Sequence, residues 1–247
     1  LYTGNGGTQT ISGLNFQPDL VWFKSRSSAY NHAVFDSVRG VQKRLHPNLT
    51  QAEDASSSGL TAFNTDGFGI GSNNVNNGNG STYASWAWDG GTSTVTNNDG
   101  SIASQVRAQP TAGFSIVTYT GTGSNDTVGH GLNAKPAYYF IHGRSNADQW
   151  MIYSEPLGAT KYLEFNTNAA NAVSNRWNNT EPTNSVFSLG TEQAVNGSGR
   201  TFVCYCFSSV EGYSSVGSYA GNGSSDGVFV HSGFKFAWLM CKDTTNN

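Results

Sequence analysis

Apolar and polar residues along this chain alternate over short runs or cluster in blocks of four or five, and no long stretch repeats at helical spacing. LVWF at 20–23 and AYYFI at 137–141 are continuous apolar runs, the pattern of strands covered on both faces. TYASWAW at 82–88 sets Ala84, Trp86 and Trp88 on one face and Tyr83, Ser85 and Ala87 on the other. TFVCYCF at 201–207 likewise sets Val203, Tyr205 and Phe207 opposite Phe202, Cys204 and Cys206. Turn-rich stretches such as GSNNVNNGNGS separate these runs. VRGVQKRL and the residues around QAED predict a turn or two of helix at most. The pattern predicts an all-β fold, a tandem of β-sandwich repeats of jelly-roll or lectin-like type with little helix.

The runs recur. LYTGNGGTQ at the start returns as TYTGTGSND from Thr118 and as SYAGNGSSD from Ser218. A shift of 118 positions brings Pro18 onto Pro136, Arg26 onto Arg144, Phe35 onto Tyr153, Gly40 onto Gly158 and Leu45 onto Leu163. One residue later in register, Phe68 meets Phe187, Asn77 meets Asn196 and Tyr83 meets Phe202. Two copies of one unit follow, with a first sandwich over 1–91 and a second over 92–214 that begins with an extra hairpin. Residues 215–247 repeat only the opening of the unit, GFKFAWLMCK matching NFQPDLVWFK, and either begin a third repeat or complete the sheet of the second. Each Tyr-x-Gly-x-Gly marks a strand end where a tight turn needs positive φ.

Composition agrees with this picture and narrows the partners. Only 12% of residues are charged, about half the usual share. Net charge is −3 with no Lys/Arg run, which argues against nucleic acid and anionic membrane. No apolar run approaches the ~20 residues that span a bilayer, so no membrane insertion is expected. The three cysteines have neither metal-ligand nor framework spacing, and the five histidines are scattered; no metal or cofactor is expected.

Catalytic signals are absent from the pattern. The glycine-rich turns lead into β-type residues with no nearby Lys, unlike a phosphate loop. No G-x-S-x-G elbow occurs. Acidic residues for a glycosidase pair, about 5–10 Å apart, do not recur between copies: Asp36 faces Ser154 and Asp66 faces Ser185. Most tryptophans, including Trp22, Trp86, Trp88, Trp150 and Trp238, lie in strand patterns and read as core. Trp177 stands apart in the polar stretch SNRWNNTEPTN, as does Tyr30 in SRSSAYNH. Exposed rings flanked by amides and a guanidinium suit stacking on sugars, so Trp177, Arg176, Asn178 and Tyr30 are the expected ligand-binding residues, with no catalytic residue.

GFSIVTYTGTGSNDTVGHGL, LGATKYLEFNT, PTNSVFSLGTEQAVNGSG and TFVCYCFSSVEGYSSVGSYAGNGSSDG, together with PDLVWFKSR and GLTAFNTDGFGIGS in the first copy, carry a resemblance over essentially the whole chain. It resembles the repeated C-terminal β modules of marine tailed-phage structural and tail-fibre proteins. That resemblance implies a non-enzymatic virion component, assembled in the bacterial host cytoplasm and then extracellular. It implies other virion proteins as partners, a homotrimer as the assembly, and attachment to a host cell-surface glycan or receptor as the task. A spacer or capsid decoration without a ligand is the alternative expectation, and a polysaccharide depolymerase the second.

Overall fold

The computed structural model describes residues 1–167 and 172–245. It is almost entirely β, and every paired strand in it is antiparallel. Unit one comprises β1 (Tyr2–Thr3), β2 (Gln9–Ser12), β3 (Leu20–Ser25), β4 (Ala33–Asp36), β5 (Lys43–Arg44), β6 (Asp54–Ala55), β7 (Leu60–Asn64), β8 (Gly67–Ile70), the one-turn helix α1 (Asn74–Asn77) and β9 (Thr82–Trp88). A hairpin follows, β10 (Val95–Asn97) and β11 (Ser104–Gln109). Unit two comprises β12 (Phe114–Thr120), β13 (Asp126–Gly129), β14 (Tyr138–Gly143), β15 (Met151–Ser154), β16 (Lys161–Glu164), β17 (Ala172–Val173), β18 (Val186–Leu189), the helix α2 (Gln193–Asn196) and β19 (Thr201–Phe207).

The sheets stack in four layers. Sheet β2-β8-β7 covers one face of sheet β1-β9-β3-β4, and the pair β13-β18 covers one face of the eight-stranded sheet β10-β11-β12-β19-β14-β15-β16-β17. The two larger sheets then face each other across a core of their own. Alternation along single strands makes this visible. Val21 and Phe23 point into the core of unit one, while Leu20 and Trp22 point into the shared middle core. In β14, Tyr139 and Ile141 fill unit two and Phe140 fills the middle; in β19, Phe202, Cys204 and Cys206 face unit two, with Val203 and Tyr205 in the middle. This is the physical reason for the continuous apolar runs: these strands have no solvent face.

A buried polar network crosses the middle core. Asp36 and Arg39 are ion-paired with both side chains fully buried. Tyr205 of unit two donates its hydroxyl to Asp36 Oδ2 at 2.6 Å and accepts from Arg39 Nη2 at 3.2 Å. Arg39 also reaches Glu53 at 3.1 Å, and Glu53 takes both Nε and Nη2 of Arg144 from unit two at 2.9 and 3.1 Å. Burial disfavours the Glu53 charge, but Arg144 and Arg39 outweigh it and hold the carboxyl below its usual range. Trp150 Nε1 donates to His46 O at 3.0 Å, and the buried His142 stacks on Trp150 at 4.3 Å with Nε2 at 3.0 Å from Gln51 O.

In units one and two Tyr-x-Gly-x-Gly is the receiving half of a latch. Tyr2 donates to Asn76 O at 2.5 Å and Tyr119 donates to Val195 O at 2.6 Å, equivalent positions in α1 and α2. The first glycine permits close approach: a Cβ on Gly4 would lie 2.3 Å from Gly78 O, and one on Gly121 would lie 2.6 Å from Gly197 O. The second supplies positive φ, +69° at Gly6 and +80° at Gly123. Buried Asn77 and Asn196 close the latch. Asn77 donates to Gly7 O and Gly71 O, and Asn196 to Ser124 O and Gly190 O; each carboxamide oxygen takes a backbone N–H from the opposing turn.

Three expectations need correction. The stretches VRGVQKRL and QAED form a turn and the small β5–β6 pair; α1 instead lies in GSNNVNNGNGS, read as turns, and α2 at the equivalent place in unit two, where the latch stabilises each. Trp238 is 38% exposed, because residues 215–245 contain no strand and complete no sheet. Trp86 and Trp88 are only half-buried, since they border the middle core.

Removing the Tyr205 hydroxyl leaves a buried carboxylate one partner short, so Tyr205→Phe is expected to cost about 2 kcal/mol. Arg39→Ala, which strands the Asp36 charge, is expected to cost roughly 3–5 kcal/mol. Urea midpoints test both; an unmoved midpoint in Arg39→Ala would contradict the seam's role.

Acid should loosen the same seam. Burial, seconded by the Arg39 charge, lowers the His142 pKa to about 4, while hydrogen bonds to backbone carbonyls oppose this. His32 and His130 also stand at about 4, chiefly through burial. Above about pH 6.5 these rings are neutral whether the chain is folded or not. Below it the unfolded chain takes up protons that the folded chain refuses until about pH 4, so stability falls through that window. His142 alone contributes a loss on the order of 3 kcal/mol by pH 4. Urea midpoints at pH 7.5 and 5 should differ, and His142→Gln should shrink the difference.

Candidate functional site

Trp177 is fully buried, which overturns its assignment as an exposed sugar platform. Its Nε1 donates to Lys161 O at 2.9 Å, and its ring stands edge-on to Tyr139 and Tyr153 at 5.0 and 6.3 Å. Asn178 and Asn179 take left-handed φ of 50° and 49°, so the turn folds back with its amides outside and its indole inside. Arg176 is half-buried, lying over the Tyr162 ring at 3.6 Å and bonded to Ser174. Asn178 and Tyr30 are exposed, but no hydrogen bond or ring contact among the described residues joins Tyr30 to the 176–178 turn. The four expected residues do not form one site.

An open crevice lies instead where the two units meet. Its volume is about 250 Å³, and it is lined by His32, Pro47 and Asn48 from unit one and Phe165, Asn166 and Thr167 from unit two. The loop between β3 and β4 brings in His32, whose Nδ1 accepts from Trp22 Nε1 at 2.8 Å. Asn48 Oδ1 accepts from His32 N at 2.9 Å and Asn48 Nδ2 donates to Asn31 Oδ1 at 2.8 Å, next to Tyr30 in sequence. On the other wall Phe165 packs on Trp22 at 5.5 Å, and Asn166 Oδ1 accepts from Trp150 N at 2.9 Å.

Chemistry at the crevice follows from these bonds. Burial first, and the Lys24 charge second, lower the His32 pKa to about 4, so the ring is neutral at pH 7. With Nδ1 occupied as an acceptor, the ring proton sits on Nε2. His32 is therefore a hydrogen-bond donor with no free basic nitrogen. The crevice is smaller than the roughly 300–1,000 Å³ of most ligand pockets, with one aromatic wall and amides at its rim, so it admits only a small group.

Glu155 and Glu181 are two carboxylates that share one cation, Lys135 Nζ, at 3.1 and 3.3 Å. Glu181 also accepts from Tyr153 Oη and from Ala159 N at 2.7 Å. Burial raises its pKa, but these donors and Lys135 outweigh it and leave the carboxyl below its usual range. A general acid needs the opposite shift. Cys204 and Cys206 are buried with sulfurs 3.5 Å apart, and Cys241 is exposed. Among the described residues no three His, Cys, Asp or Glu gather as metal ligands, and no helix is long and apolar enough to cross a membrane.

Sequence reasoning missed His32 and Phe165. The two residues come from different copies, and the one signal, His32 aligning with Trp150 across the repeat, pointed to the core. Neither the curated proteins nor the solved structures contain a match to this chain. A family match does cover it from end to end, residues 1–247, and the chain belongs to the family described as Domain of unknown function (DUF7483).

Proposed function

We propose that the chain is a non-enzymatic structural module of a phage virion, a rigid double sandwich that offers its seam crevice to a host-surface glycan. The observation that carries this reading is the sealed middle core. Two repeats joined by an apolar layer with a buried ionic network through it make a stiff body, and the recess at the joint is an open one. The resemblance to repeated β modules of marine tailed-phage proteins supports the virion setting, other virion proteins as neighbours and a homotrimer as the assembly. Weak single sites multiplied over copies suit attachment, because linked sites raise effective concentration without new contacts.

The spacer reading rests on a specific observation too: the side-chain amides of Asn48 and Asn166 are already engaged with their own walls. A glycan array probed with the full chain separates the two. Attachment predicts selective binding that weakens about tenfold or more in His32→Ala and Phe165→Ala, a loss of ~1.4 kcal/mol or more, read at a temperature where each variant is folded by circular dichroism, because both side chains also pack on Trp22. A spacer binds no glycan. Release of reducing sugar from host envelope polysaccharide, lost in Glu181→Gln, would replace both readings with a depolymerase.

A further inference from the structure

Residues 219–242 repeat 119–142 at a constant offset of 100: Tyr219, Gly221, Gly223, Asp226, Val228, Lys235 and Ala237 equal their counterparts in unit two. In unit two this stretch is the opening half of the sandwich. Its strands β12, β13 and β14 are completed by β18, α2 and β19, which form the closing half. Among the described residues no strand pairs with this stretch in the tail, and burial inverts. Tyr119, Val128 and Tyr139 are 4%, 0% and 0% exposed, whereas Tyr219, Val228 and Leu239 are 57%, 41% and 64% exposed.

The latch residues are the sharper evidence. Gly121 is required because Gly197 O approaches where its Cβ would be, yet around Gly221 nothing lies within 4 Å. Gly223 keeps the positive φ of Gly123, +66° against +80°, in a turn that closes on nothing. Asn222 and Ser224 still bond within that turn, to Asp226 O, Ser224 N and Asp226 N, so the receiving half is preformed. Trp238 rests edge-on against Trp88 of unit one at 5.8 Å, and Lys242 Nζ donates to Thr167 O at 2.6 Å.

We propose that residues 219–242 are a docking surface for a closing half of this same repeat type, a segment of strand, Asn-Gly turn and strand like 183–207 or 64–88. Tyr219 would donate to the carbonyl preceding the incoming Asn, Gly221 would admit the following glycine's carbonyl, and Val228, Leu239 and Cys241 would enter the new core. The occupant is named by the tail's retained latch chemistry: Tyr219 and Gly221 repeat Tyr119 and Gly121, and nothing lies within 4 Å of where a Gly221 Cβ would be.

The test extends the full chain after Lys242 with residues 143–214 repeated or, in a second version, with residues 25–91 repeated. Hydrogen exchange of 219–241 is then read by mass spectrometry, with 119–142 in the same molecule as internal reference. Docking slows tail exchange by at least about 100-fold against the unextended chain in at least one version, since latched strands open only with their unit. Tyr219→Ala, or Asn→Ala at the appended counterpart of Asn196 or Asn77, returns it to the unextended rate. Tails unprotected in both versions overturn the proposal. Protection indifferent to the latch substitutions also overturns it, as does a tail already protected by self-association of the unextended chain.

Discussion

The contact on which this molecule depends is the burial of Asp36 and Arg39 of unit one against Tyr205 of unit two. Two charges taken out of water are stable only when paired and fully hydrogen-bonded, and here part of that satisfaction comes from the other repeat. The apolar residues around them, Leu20, Trp22, Phe140, Ile152 and Val203, exclude water from both sides. Neither repeat can present this face to solvent without exposing an apolar sheet and leaving an ion pair short of a donor. The duplicated chain is thus one stack of four layers, and the crevice at its rim exists only because the stack is closed.

The latch plays the matching part inside each repeat. A four-residue helix, NVNN in unit one or QAVN in unit two, is too short to stand alone. It persists because Asn73 caps it in unit one and because a tyrosine and a buried asparagine tie each helix to the opposing turn. Stacking of Tyr2 on Tyr83 and of Tyr119 on Phe202, at 5.3 and 5.2 Å, repeats the same join in the sheet below. Local sequence and long-range contact therefore specify each other, which explains why Tyr, Gly and Asn recur where most other positions have drifted.

Much of the fold was legible in the chain. The doubling, the all-β character, the hairpin before unit two and the two faces of TFVCYCF all follow from periodicity and self-similarity. The four layers were foreshadowed by LVWF and AYYFI, although periodicity cannot tell which surface covers a strand. Trp177 misled because a polar neighbourhood describes a loop's backbone, not the direction of its one large ring; two left-handed asparagines decided that. His32 and Phe165 were illegible for another reason. Each is ordinary within its own repeat, and their proximity is a product of packing between repeats.

The seam has an asymmetry with a wider consequence. Where unit one has Asp36 and Arg39, the aligned positions of unit two are Ser154 and Leu157, and where unit two has Tyr205, unit one has Trp86. The joint is therefore heterologous: one repeat carries the plug and the other the socket, and two identical repeats could not mate through it. Such a joint behaves as a lock and its key: losing either repeat strands the other's half of the buried ion network.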